Sequence, residues 1–127
     1  MKVLRWADTE HTARGYECNF AYDGQYAEIV RWNGAKFKHM NKGDFTYLVR
    51  GSIPGGLPEG NTVAASVIGN VVTSYVNGVQ LLTATDNTFA NGQPGMGFWR
   101  GGPSAPQNDV GFLSFAARDI VPTPAPM

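Results

Sequence analysis

The chain has 127 residues, 43% of them hydrophobic, and its ten basic and ten acidic side chains cancel. That length supports one domain with a real core. A neutral chain without a Lys/Arg cluster lacks the electrostatic footprint of a nucleic-acid binder, and a single cysteine excludes an internal disulfide or a cysteine-rich metal site.

The opening MKVLRWADTE has no apolar stretch of the secretory-signal kind. No apolar run is long enough to cross a bilayer as a helix, so membrane insertion is not expected, and export would require a segment upstream of Met1 or another route. Sixteen glycines and eight prolines separate short β-branched and aromatic runs, which is the pattern of an all-β sandwich or barrel. No window carries the three-and-four apolar spacing of a helix.

The first strong unit is RGYECNFAYDGQYAEIVRWNG, residues 14–34. Asp23-Gly24 reads as a two-residue hairpin turn with positive φ at both central positions. Folding there sets Phe20 opposite Ala27, Cys18 opposite Ile29 and Tyr16 opposite Arg31. The other face holds Glu17, Asn19 and Ala21 against Val30, Glu28 and Tyr26, with Trp32 beyond. One face is core and the other is polar with aromatic bodies. Alternation with Tyr16 and Phe20 makes Cys18 a small buried hydrophobe, not a nucleophile. Lys36, Lys38, His39 and Lys42 follow in a loop and read as solvated charge.

DFTYLVR is a strand, and GSIPGGLPEG is a proline-glycine loop with no room for regular structure. The second unit is TVAASVIGNVVTSYVNGVQLLTA, residues 62–84. Gly69-Asn70 and Asn77-Gly78 both read as tight turns, giving a three-stranded meander. Both turns together put Val63, Ala65, Val67, Val72, Val76, Val79 and Leu81 on one face. NGQPGMGFW is a turn followed by a short strand, DVGFLSFAAR is the last strand, and VPTPAPM is an extended tail or linker. The expected organisation is one sandwich over residues 1–120 and a proline-rich tail over 121–127.

GYECNFAYDGQYAEIVRWNG, GDFTYLVR, VTSYVNGVQLLTATDNTFANGQPGMGFW and VGFLSFAA resemble the C-terminal part of concanavalin A-like lectin/glucanase domains of the laminin-G-like type. The most diagnostic piece is the Tyr75-Val76-Asn77-Gly78 hairpin followed by Asp86 and by Gly92 to Phe98. The similarity runs from about Leu4 to Ala117. It implies an antiparallel β-sandwich of jelly-roll type, a glycan or polysaccharide partner, and an extracellular or surface location. Such domains have further strands before the point where this chain begins. The expectation is therefore a sandwich lacking N-terminal strands, whose open edges pair with a second copy or a neighbouring domain. A reduced sandwich, complete as it stands, is the alternative.

Glucanases of this class carry a Glu-x-Asp-x-x-Glu motif on one strand, and no such motif occurs here, which points away from an enzyme. The only carboxylate pair suited to glycoside hydrolysis is Glu17 and Glu28, diagonal neighbours on paired strands. His11 and His39 lack paired-ligand spacing for zinc. Structural calcium is conceivable at Asp86 and Asn87 or at Asn108 and Asp109, which read equally well as Asx turns; no other cofactor is expected.

Carbohydrate binders stack aromatic rings on sugar C–H faces and use planar polar groups on the hydroxyls. Arg31-Trp32-Asn33 and Trp99-Arg100 supply such groups, and Tyr26 and Tyr47 could extend a platform. The expected function is a non-catalytic carbohydrate-recognition or adhesion module. The rivals are a hydrolase using Glu17 and Glu28, and a structural assembly module of a multidomain surface or virion protein.

Overall fold

The computed structural model describes residues 1–9, 12–36, 44–98 and 111–120. Eight strands run in chain order: β1 (Lys2–Thr9), β2 (Thr12–Phe20), β3 (Ala27–Lys36), β4 (Phe45–Gly51), β5 (Val63–Ile68), β6 (Val71–Val76), β7 (Val79–Thr85) and β8 (Gln93–Met96). They form two antiparallel sheets, a five-stranded one in the order β4-β3-β2-β1-β8 and a three-stranded one in the order β5-β6-β7. The fold is thus an all-β antiparallel sandwich, and no helix occurs among the described residues.

The register of β2 against β3 is the one the sequence predicts, with Tyr16 facing Arg31, Cys18 facing Ile29 and Phe20 facing Ala27. The turn itself differs. Ala21 N donates to Tyr26 O at 3.0 Å, which closes a four-residue loop over residues 22–25. Only Gly24 has positive φ, and the Asp23 carboxylate accepts from Gln25 N. The loop is centred on the same peptide, so its extra length leaves the pairing unchanged. Gly24 is required for a second reason: a Cβ there would lie 2.5 Å from Ile53 O. This contact interlocks the β2–β3 loop with the proline-glycine loop, where Ile53 N donates to Gly24 O and Leu57 N to Tyr22 O.

In the meander, both tight turns are present, with Ile68 facing Val71 and Val76 facing Val79. Asn77 and Gly78 both have positive φ, as a type I′ turn requires, whereas Gly69 alone does so at the other turn, as in type II′. The predicted apolar face holds for β5 and for Val72 but fails along β7. A bulge opposite Ser74 and Tyr75 makes Leu81 an extra residue, so Leu82 faces Ser74 and Ala84 faces Val72. One inserted residue exchanges faces: Leu82 and Ala84 pack in the core in place of Leu81, and Val79, next to the turn, is exposed.

The core lies between the sheets. Tyr16, Cys18 and Ile29 from the large sheet and Val72 from the small one are fully buried, with Leu4, Phe20, Val67 and Leu82 packed around them. Each such side chain contributes roughly 1.5–3 kcal/mol by leaving water. Burial pushes the Cys18 thiol up to about 12, in keeping with a packing role.

β1 has no counterpart among the predicted elements, because a bulge between Leu4 and Ala7 breaks its alternation and Arg5 sits at φ 49°. The Arg5 guanidinium donates to Gly69 O at 2.9 Å and to Phe89 O at 2.8 Å, tying β1 to the small sheet's turn. The predicted last strand is not formed over its described residues: 111–120 run without ladder pairing. The edge strand β8 has four residues and contains Pro94, which cannot donate to a ladder. Phe112 stacks instead on Phe98, ring centroids 4.3 Å apart, and Leu113 is 100% exposed. The expected tail, 121–127, lies outside the described residues.

Candidate functional site

Strand alternation gives the large sheet a second face, turned away from the small sheet, on which Glu17, Asn19, Glu28, Val30 and Trp32 stand. The partner strand β4 adds to it, since Trp32 pairs with Phe45, Val30 with Tyr47 and Glu28 with Arg50. An aromatic row crosses this face: Trp6 to Trp32 at 6.3 Å, Trp32 to Phe45 at 5.2 Å and Phe45 to Tyr47 at 5.2 Å between ring centroids. Edge and tilted contacts of this kind suit the ring quadrupoles.

A polar cluster runs beside the row. The Trp32 indole Nε1 donates to Glu17 Oε2 at 3.0 Å, and Asn19 Nδ2 donates to Glu28 Oε1 at 3.3 Å. Arg50 Nε lies 3.2 Å from Glu28 Oε2, an ion pair without the alignment of a hydrogen bond. The same guanidinium sits 4.4 Å from the centre of the Tyr47 ring, a cation–π distance. Burial pushes the Glu17 carboxyl above its ordinary range; hydrogen bonds to Asn19 and Trp32 oppose the shift, and the Glu28 charge adds to it. Burial likewise raises the Tyr26 phenol, reinforced by the negative charges of Glu28 and Asp23.

Exposure sorts these groups. Trp32 is only 7% exposed and forms the floor, whereas Tyr26 at 38% and Tyr47 at 48% are exposed. The predicted pair Glu17 and Glu28 does share this face, together with Tyr26, Trp32 and Tyr47. Arg31 and Asn33 do not. Consecutive strand residues point to opposite sides, so the run Arg31-Trp32-Asn33 is split. Arg31 Nη1 donates to Asp86 Oδ2 and, at 3.2 Å, to Thr88 Oγ1, and its Nε donates to Asn33 Oδ1 at 2.9 Å. Asn33 Nδ2 in turn donates to Thr46 Oγ1. Trp99 and Arg100 lie outside the described residues, as do His11, His39, Asn108 and Asp109.

Asp86 is fully engaged in holding the fold. Besides Arg31, it accepts from the Tyr16 hydroxyl at 2.7 Å and from Thr88 N at 2.9 Å. Burial raises its carboxyl, but hydrogen bonds from Tyr16, Thr88 and Arg31 outweigh that and bring it down to about 2. These three donors are the role the structure gives Asp86; the described residues contain no cluster of three or more His, Cys, Asp or Glu.

Asn19, Arg50, Phe45 and Trp6 join the residues that the sequence brings to this face. Asn19 was visible on the polar face in the hairpin register. The others depend on the β3–β4 register and on β1, which a long connection and a bulge conceal. A cleft of about 310 Å³ lies elsewhere, between the loop Ile53–Pro58 and the β6–β7 hairpin. Its amides serve the fold, since Asn77 Nδ2 donates to Asn61 Oδ1 and Thr62 N to Asn77 Oδ1.

No family model, no curated protein and no solved structure matches this chain.

Proposed function

We propose that the chain is a non-catalytic carbohydrate-recognition module that binds glycan on the outer face of its five-stranded sheet. The observation that carries this reading is the standing of part-exposed Tyr26 and Tyr47 on the same face as the Glu17–Asn19–Glu28–Arg50 cluster. Ring faces stack on sugar C–H groups, and Asn19, Glu28 and Arg50 supply an amide, a carboxylate and a guanidinium for hydroxyls. Trp32 and Phe45 pack beside Tyr47 in the aromatic row. Adhesion to a polysaccharide-coated surface and an extracellular setting follow from the same reading. Isothermal titration against neutral and acidic polysaccharides tests it: saturable binding is expected, and Tyr47→Ala weakens it about tenfold, the equivalent of roughly 1.4 kcal/mol. Absence of binding to every polysaccharide rejects the reading.

A second reading is favoured by one observation, the buried Glu17 carboxyl raised beside the Arg50-paired Glu28. A carboxyl whose proton is held more tightly beside a second carboxylate is the arrangement of an acid and its counterpart in glycoside hydrolysis. Here Glu17 would protonate the leaving oxygen and Glu28 would serve as nucleophile or base. Reducing-sugar release that disappears in both Glu17→Gln and Glu28→Gln would establish it; no release from any polysaccharide eliminates it.

A further inference from the structure

Sheet edges expose unpaired N–H and C=O groups, and proteins protect them with charge, proline, bulges or shortness. Among the described residues the two sheets have four edge strands: β4, β8, β5 and β7. β4 carries Arg50, β8 is four residues long and contains Pro94, and β7 bulges at Leu81. β5 has none of these devices. Its sequence is Val-Ala-Ala-Ser-Val-Ile, its ladder with β6 is unbroken over six pairs, and no described strand pairs with its outer edge. The segment is equally bare in sequence, because no charged residue occurs between Asn61 and Thr85; the Arg5 guanidinium, held on Gly69 O, lies at the turn beyond the strand's end.

We infer that β5 is a homodimer interface, pairing antiparallel with β5 of a second copy about a twofold axis. An antiparallel pairing of a strand with itself is isologous, so one surface supplies both halves. Directly opposed residues must lie on the same face of the joined sheet, which allows only registers centred on a residue. Centring on Ser66 places Ile68 against Ala64 of the second copy on the outer face, and Ala65 against Val67 on the inner. Ile68 is otherwise 56% exposed at the end of the edge strand, and this register sets its large side chain against a small one. Centring on Ala65 would leave Ile68 overhanging. The pairing joins two three-stranded sheets into one of six, a common sheet size. A second copy suits the edge because the strand is uncharged and brings no repulsion to its own image.

Light scattering on the intact chain at about 100 μM, where weak associations register, is expected to give the mass of a dimer. Ser66→Lys brings two like charges face to face at the axis and weakens the dimer at least about tenfold; if that variant loses its β-sheet circular dichroism, Ala64→Lys, which opposes Lys to Ile68, is read in its place. Ser66→Cys joined by a short bis-maleimide is expected to cross-link as a dimer, whereas Thr83→Cys on β7 stays single. The buried Cys18 does not compete. A monomeric wild type, a dimer insensitive to the folded Lys variant, or a dimer that Ser66→Cys does not cross-link would each overturn the inference. Loss of glycan binding alone would not touch it, since the two surfaces lie on different sheets.

Discussion

Replacing Asp86 by Asn isolates the charge that pins the loop after β7 to the large sheet. The amide keeps the size of the carboxylate, and its oxygen can still accept from the Tyr16 hydroxyl and Thr88 N. Its NH₂, however, then meets the Arg31 guanidinium, donor against donor. The Asp86 carboxyl titrates at about 2 in place of 3.8, and its side chain is nearly buried. At 1.36 kcal/mol per tenfold change in proton affinity, that depression is worth about 2 kcal/mol. Because the folded value lies below the unfolded one, this stabilisation is complete above about pH 5 and is lost as pH falls toward 2. Urea unfolding followed by tryptophan fluorescence at about pH 7 should therefore place Asp86→Asn roughly 2–3 kcal/mol below wild type. The gap should narrow steadily as the titration proceeds toward pH 2. A difference under about 0.5 kcal/mol at neutral pH, or one that does not change with acid, would refute the account of this pin.

Glu17→Gln should stabilise the fold at neutral pH, because the folded state holds the Glu17 proton more tightly than the unfolded chain. The advantage should vanish below the ordinary carboxylate range, where wild type is protonated in both states; pH-dependent denaturation reads it. Leu82→Ala should cost about 2–3 kcal/mol and Leu81→Ala under about 1, the order that the β7 bulge dictates and an unbulged strand would reverse. Gly92→Ala should destabilise by at least about 2 kcal/mol in thermal unfolding, since at φ 148° its Cβ would overlap the Arg5 backbone.

Much of the sandwich is legible in the sequence, because Asp23-Gly24, Gly69-Asn70 and Asn77-Gly78 bracket runs whose alternation names a core face. The β2–β3 register survives even a wrong turn length, since an even-membered loop about the same peptide preserves every pair. What local pattern cannot reveal is an inserted residue. The bulges in β1 and β7 change faces for reasons that lie in neighbouring strands, which is why local pattern does not show β1 and points to Leu81 where Leu82 packs. The final run GFLSFAA has strand chemistry but pairs with no described strand, and chemistry alone does not build a ladder. At the site, the hairpin register was enough to bring Glu17, Glu28, Tyr26 and Trp32 together. Arg31-Trp32-Asn33 is one cluster only along the sequence; the alternation that makes the hairpin readable separates its side chains. Trp32 is floor, not stacking surface, because the Phe45 and Trp6 that cover it come from strands outside that hairpin.

The claim that glycan is bound on the outer face of the five-stranded sheet is tested most directly by amide chemical-shift mapping during polysaccharide titration. Shifts concentrated in β2, β3 and β4 around Asn19, Tyr26, Glu28 and Tyr47, and abolished in Tyr26→Ala/Tyr47→Ala, are the predicted result. Shifts confined to the three-stranded sheet, or none with any polysaccharide, would contradict it.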